Sequence, residues 1–537
     1  MHAETRNAEV LIVGAGFSGI YQLCSLVGQA YNVILIEMGT DIGGTWYWNR
    51  YPGAMSDSGA PFYRFSQDDL QEFPAKNRFV NRDDIMSYLR YVVDKHKVQD
   101  RINLNTELRR AAFDEGSATW RVETSQRFIE ARYLVSAMGL LNKTNYPDIK
   151  GLDDFGGKLF HSARFPTNFD FRDKKVGIIG NGSTGVQIIT ELGKAGVCNN
   201  LTSFQRHPQY TVPNGDGPIP PEDLQELVQD WPGTWKRISG SRMGFGFEEA
   251  TTLTGSVDEA TRQKVFQDAW NKGGGLRFMF GTFADIVADP AANEAAAGFI
   301  RSKIKEIVKD PAKAEALTPH DLFARRPLSD AGYYQTFNNS WVDIVDLRKS
   351  PIDQITAEGI LTSDGKLHQL DVLILATGFD AMDGSYRRVS IEGRGGETLN
   401  ERWSDGTRSY LGCSVAEFPN FFMILGPYGA FGNNIPIAET VVDFVTAMIR
   451  DAMPHPGGLG RTIEAAKEAE DQWMAMCHSI ADATLFTKLD APTWVDGSNI
   501  AGKKRELQFF VGGIGAYRSI LDDCKSSEPR WKGFSVS

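Results

Sequence analysis

Val10-Leu11-Ile12-Val13-Gly14-Ala15-Gly16-Phe17-Ser18-Gly19 is an apolar run that breaks into three glycines spaced Gly-x-Gly-x-x-Gly. The pattern recurs at Val176-Gly177-Ile178-Ile179-Gly180-Asn181-Gly182-Ser183-Thr184-Gly185. Each stretch reads as a buried strand, a tight turn and the start of a helix. That is the context a dinucleotide needs, because the glycines let the backbone approach a pyrophosphate at a helix N-terminus. Two such turns in one chain imply two bound dinucleotides, and two bound dinucleotides imply electron transfer between them.

The residues downstream separate the two sites. Val33-Ile34-Leu35-Ile36-Glu37 reads as the second strand of the first unit, and Glu37 stands 23 positions beyond Gly14, near the ~20 expected of an acid that binds a ribose hydroxyl. A carboxylate there repels a 2′-phosphate, so the first site suits FAD or NAD. In the second unit the acid is absent. Arg206, 26 positions beyond Gly180, offers a guanidinium to a 2′-phosphate, and the site reads as NADPH. Ser183, Thr184, Gly185 and Gln187, at and after the second turn, are assigned to that site.

The bulk properties bound the rest. At 537 residues the chain is long enough for roughly three to four domains or lobes. It is 42% hydrophobic and 23% charged, a globular composition, with no apolar stretch long enough to span a bilayer. The first strand begins almost at Met1, so a cytoplasmic location is expected. A net charge of −11 without a basic block argues against nucleic acid or an anionic membrane as partner. Cys24, Cys198, Cys413, Cys477 and Cys524 are scattered and lack metal-ligand spacing, so buried thiols are expected rather than disulfides or a metal site.

The expected fold class is α/β, with two Rossmann-like dinucleotide-binding domains and a helical insertion. The reading divides the chain into a first FAD-binding part at residues 1–145 and a first NADPH-binding part at 146–213. A helical insertion at 214–325 follows, where Ile300, Ile304, Ile307 and Val308 recur at helical spacing. A second NADPH-binding part at 326–380 is closed by the strand run Val372 to Leu375. Residues 381–537 return to complete the first domain.

No two cysteines stand three apart, so the redox-active pair of a disulfide reductase is missing. Phe155-Gly156-Gly157-Lys158-Leu159-Phe160-His161-Ser162-Ala163-Arg164-Phe165-Pro166 instead resembles the Phe-x-Gly-x-x-x-His-x-x-x-Trp-Pro signature of type I Baeyer–Villiger monooxygenases. Phe165 takes the Trp position, a substitution more typical of flavin-containing monooxygenases that oxidise nitrogen and sulfur. A second stretch favours the Baeyer–Villiger family: Gly43-Gly44-Thr45-Trp46-Tyr47-Trp48-Asn49-Arg50-Tyr51-Pro52-Gly53-Ala54-Met55-Ser56-Asp57 is similar to its Gly-Gly-x-Trp…Tyr-Pro-Gly-x-x-x-Asp segment. Further matches lie at Phe204 to Pro208, Arg325 to Tyr334, Ala376 to Asp380, and Trp494 ahead of Asn499-Ile500. Arg325 replaces a usual Lys, and Ala501 a usual Pro.

The resemblance implies FAD and NADPH as cofactors and a small ketone with O₂ as substrates. It implies insertion of one oxygen atom beside the carbonyl, through a flavin C4a-peroxide, to give an ester or lactone. It assigns Arg326 to negative charge on the reacting oxygen and Asp57 to orienting Arg326. Gly14, Gly16, Gly19, Glu37, Thr45, Trp46 and Asp57 fall to the first cofactor. Gly180, Gly182, Arg206, Arg325 and Trp494 fall to the second. Leu140, Leu141, Phe431 and Phe509 correspond to substrate-pocket walls, and His161 to a hinge. The alternative is an N- or S-oxygenating flavin monooxygenase, which needs no oxyanion-stabilising arginine. A flavin-based redox sensor would have no use for the second turn and Arg206.

Overall fold

The computed structural model describes residues 5–67 and 72–537. The strand Arg6–Val13 lies deep in an eight-stranded sheet, parallel to Val33–Ile36 on one side and Phe128–Ser136 on the other. Val10 to Ile12 have no exposed surface. This is why the run reads as continuously apolar, since a parallel strand is covered on both faces. From Phe128–Ser136 the sheet continues through an antiparallel meander of Thr119–Thr124 and Leu108–Asp114.

The second glycine turn follows Lys175–Ile179, in a five-stranded, all-parallel sheet of order Lys158–His161, Val372–Leu375, Lys175–Ile179, Asn200–Gln205, Val342–Asp346. The run from Val372, the last of these five strands along the chain, lies inside the sheet between Lys158–His161 and Lys175–Ile179. All four of its residues are buried, as expected of a strand in a parallel sheet covered on both faces. Its outer neighbour Lys158–His161 falls within the Phe155 to Pro166 motif.

Between the paired strands Thr211–Pro213 and Leu328–Asp330 the chain forms helices and turns. Its helices include Pro221–Gln229, Trp231–Gly240, Glu259–Lys272 and Pro290–Ile307. Ile300 and Ile304 are fully buried and Val308 nearly so, while Ile307 is only partly covered, so the stripe facing the core runs i, i+4, i+8. Beyond residue 380, Ser390–Glu392 and Phe421–Met423 join the first sheet. Helix Asn434–Ala452 packs along helix Phe17–Val27. Val495, Leu507 and Phe509, however, pack into the same core as the second sheet, so the C-terminal part of the chain touches both units. All five cysteines are free and buried. Among the described residues no helix is long and apolar enough to cross a membrane.

Candidate active site

The two glycine turns are built alike. A Cβ on Gly14 would fall 2.4 Å from the Ala137 carbonyl oxygen, and one on Gly180 would fall 2.4 Å from that of Ala376. A Cβ on Gly19 or Gly185 would strike the carbonyl of the first glycine of its own turn, at 1.8 and 2.2 Å. The first and third glycines are therefore required for close passage of helix over strand. The middle glycine serves what lies outside, and a Cβ on Gly182 would meet nothing within 4 Å.

Helices Phe17–Val27 and Ser183–Leu192 begin at Gly16 and Gly182 with no side-chain cap. By contrast, helices of the insertion are capped by Asp230, Asp258, Asp289 and Asp310. Uncapped N-termini leave first-turn N–H groups and the positive end of the helix dipole for an external anion. Two open cradles of this kind fit the pyrophosphates of two dinucleotides.

Both cradles open into one cavity of about 1040 Å³. Gly14, Gly16, Glu37, Thr45, Trp46 and Asp57 line it from the first unit. Gly180, Gly182, Ser183, Thr184, Arg206, Arg325 and Arg326 line it from the second. Glu37 is buried at the end of its strand, and its two carboxylate oxygens accept from the N–H of Ala15 at 2.9 Å and of Gly39 at 2.7 Å. Burial raises its pKa against those bonds. Arg206 is exposed just past Asn200–Gln205. Arg325 is held by Asp321 at 2.8 Å, and burial lowers its pKa.

Arg326 and Asp57 meet across the two units, Nη1 to Oδ2 at 2.8 Å. Asp57 is almost wholly buried, while Arg326 keeps 30% of its side chain exposed. Burial pushes the Asp57 carboxyl up and Arg326 draws it back down. Among the described residues no other carboxylate stands within ion-pair distance of Arg326, whose side chain lines the cavity. A guanidinium cannot release a proton in the working pH range, so it can hold an anion without protonating it.

Leu140, Leu141, Phe431, Phe509 and Trp494 line the same cavity. Phe431 and Phe509 meet edge to face at 5.2 Å, and Trp494 meets Phe509 at 6.1 Å, an apolar wall beside the charged pair. Gly19, Gly185, Gln187 and His161 lie behind the wall. The Gln187 amide is taken up by the loop after Trp48: it accepts from Tyr51 Oη at 2.9 Å and donates to the Met55 carbonyl at 3.1 Å. His161 is 2% exposed and packs on Tyr146 and Phe379. There residues 143–144 and 379–380 pair as the chain passes between the units. Phe165 is buried against Phe160 and Phe171.

Sequence reasoning missed the residues that position these groups. Tyr51 stands inside a quoted motif, but only the structure shows it bridging to the second helix. The Tyr63 hydroxyl accepts from Trp46 Nε1 at 3.0 Å, and burial pushes its pKa up to about 12. Lys503 ties the Trp494 loop to the linker through Asp380 at 2.7 Å and through Asp383. Its one sequence signal is its place directly after Gly502.

Residues 10–216 match the family model described as pyridine nucleotide-disulphide oxidoreductase. Over 536 residues the chain is 42% identical to a Baeyer–Villiger monooxygenase of Pseudooceanicola batsensis, covering 98% of this chain and 97% of that one. It is also 42% identical to the phenazine N-monooxygenase PhzNO1 of Lysobacter antibioticus, covering 98% and 96%. The crystal structure of cyclohexanone monooxygenase from Rhodococcus sp. Phi1 bound to NADP⁺ superposes with a TM-score of 0.96 at 43% identity, covering 99% of this chain and all of that one. With the cavity, its two dinucleotide cradles and these likenesses together, the chain belongs to the Baeyer–Villiger monooxygenases, FAD- and NADPH-dependent flavoenzymes.

Proposed function

We propose that this chain converts ketones to esters or lactones, with Arg326 and Asp57 at the centre of the reaction. The observation that carries the reading is the Arg326–Asp57 pair, at 2.8 Å, in the one cavity that both glycine turns open into. When bound and reduced by NADPH, FAD supplies oxygen activated from O₂. The protein's part is electrostatic. Oxygen insertion puts negative charge on the attacking oxygen and then on the former carbonyl oxygen, and a fixed guanidinium stabilises both. Asp57, itself shielded from water, keeps that guanidinium oriented before the substrate arrives.

On the NADPH side, Arg206 and Arg325 read the 2′-phosphate. On the FAD side, Glu37 would hold the ribose, and Thr45 and Trp46, on the same cavity wall, would help to hold the cofactor. Leu140, Leu141, Phe431, Phe509 and Trp494 hold the apolar part of the ketone and keep water from the charged pair, which strengthens every charge interaction inside. His161 serves the movement of one unit against the other.

The solved neighbour is named for cyclohexanone, and cyclic ketones are the first substrates to test. The relative named for phenazine N-oxidation, with Phe165 in this chain, favours a second reading as an N-oxygenase. Product identification by mass from cyclic, linear and aryl ketones, set beside tertiary and aromatic amines, tests the two. Esters or lactones are expected from ketones; N-oxides with no ester would replace the first reading by the second.

A further inference from the structure

Gly432 separates Phe431 from two asparagines, Asn433 and Asn434, which open helix Asn434–Ala452 and line the same cavity as the aromatic wall. Asn433 is taken up by the protein. Its Nδ2 donates to the Gly244 carbonyl at 2.9 Å and to the Phe62 carbonyl at 3.1 Å, and its Oδ1 caps the helix at the Ile435 N–H. Asn434 differs from its neighbour: it is exposed, and among the described residues its side-chain amide has no hydrogen-bond partner.

A hollow of about 10 Å³, room for one water at most, adjoins the main cavity. Asn434, Leu140, Leu425 and Phe509 line both spaces, and residues round so small a space stand side by side. Phe509 in turn meets Phe431 edge to face at 5.2 Å. One free amide therefore lies in a stretch of wall made otherwise of Leu140, Leu425, Phe431 and Phe509. Hydrocarbon laid on that amide takes it out of water and returns no bond, whereas an oxygen or nitrogen on the ligand restores one.

We propose that Asn434 is a specificity-determining residue, which favours ketones carrying a second hydrogen-bonding group, a hydroxyl or carbonyl away from the reacting one, over ketones that are hydrocarbon elsewhere. The inference rests on the ketone-oxidising reading and narrows its substrate class. Asn434 acts on a part of the ketone that does not react, so its effect belongs in KM and not in kcat.

The test compares 4-hydroxycyclohexanone with 4-methylcyclohexanone, which are close in size and differ in one hydrogen-bonding group. Each variant is read as kcat/KM relative to wild type for the two ketones, so that their own reactivities cancel. Asn434→Leu, which keeps the size of the side chain, should lower the hydroxy-to-methyl ratio about fivefold, the scale of one neutral hydrogen bond. The change should come through a higher KM for the hydroxyketone and a lower KM for the methylketone. Asn434→Ser, with a hydroxyl in place of the amide, should fall between. A ratio unchanged or raised in Asn434→Leu overturns the assignment. So does an equal loss for both ketones, which would put the amide on the carbonyl or the cofactor that they share. Calorimetric titration of 4-hydroxycyclohexanone into the FAD-loaded protein without NADPH gives a readout independent of turnover. Equal affinity in wild type and Asn434→Leu overturns the assignment whatever the turnover. Weaker binding to Asn434→Leu, in a protein that makes no ester from either ketone, supports the role of Asn434 and overturns the ketone-oxidising reading instead.

Discussion

A guanidinium brings to the pair a charge that it does not give up as a proton, and Asp57 has little access to water, so the consequences of removing the one or the other differ. In Arg326→Ala the carboxyl loses the cation that draws its pKa down, so its pKa rises further and the neutral form, which costs less to bury, gains at the expense of the charged one. Ester formation should fall on the order of 10²–10³-fold, as for loss of one preorganised donor to an oxyanion. FAD should stay bound, and NADPH oxidation should continue with H₂O₂ as its product. Asp57→Ala should act in the same direction but less, because Arg326 keeps its charge and loses only its aim. Ester yield per NADPH consumed measures both; a fully coupled Arg326→Ala enzyme would remove the arginine from the chemistry. Arg206 is exposed beside the second turn, so Arg206→Ala should raise KM for NADPH and leave NADH untouched. Steady-state kinetics with both nicotinamides checks this, and equal losses would mean that Arg206 does not read the 2′-phosphate. At this scale the site was legible where a motif carried it. Arg326, Asp57 and Trp494 share one cavity, as their motifs imply. Tyr63 and Lys503 were invisible, because their work depends on neighbours brought close by the fold.

At the scale of the element, the strand Lys158–His161 and the loop Tyr51 to Met55 join the two units. Burial drops the His161 pKa from 6.5 to about 4, which holds the ring neutral. Its Nδ1 accepts from the Ala163 N–H at 3.1 Å, a bond that protonation would break. The unfolded chain gains this proton as pH falls through 6.5, while the native chain gains it only near 4. The contribution of His161 to stability is therefore complete above pH 6.5 and is lost progressively down to about 4, some 3 kcal/mol in all. Denaturant melts of His161→Gln against wild type between those pH values should show a flatter pH dependence in the variant. An identical slope would mean that His161 is not buried as a neutral ring. Tyr51→Phe leaves the Gln187 amide oxygen without its donor at 2.9 Å and should cost about 1–3 kcal/mol in the same measurement. The strand from Val372 was legible as a strand but not in its place, because four apolar residues specify burial on both faces without naming neighbours. Lys158–His161 was hidden inside a motif read for its histidine.

For the whole molecule, the two-cradle plan was legible because glycine spacing is a direct record of backbone contact: a Cβ on the first glycine of either turn would collide with a carbonyl across the sheet. The contribution of residues 481–511 to the second core was not legible, since an apolar residue does not say which of two cores it joins. The two glycine turns and the Arg326–Asp57 pair line one cavity, and under the proposed function reduction by NADPH, oxygen activation and charge stabilisation share it. The outcome should be oxygen insertion beside a carbonyl, not oxidation at a heteroatom. The most direct measurement is turnover of cyclohexanone with NADPH under ¹⁸O₂, followed by mass analysis of the product. The expected product is a seven-membered lactone carrying one ¹⁸O atom in its ring, the other atom leaving as water. Consumption of NADPH with only labelled H₂O₂ formed, while an amine supplied in place of the ketone accumulates as its labelled N-oxide, would contradict it.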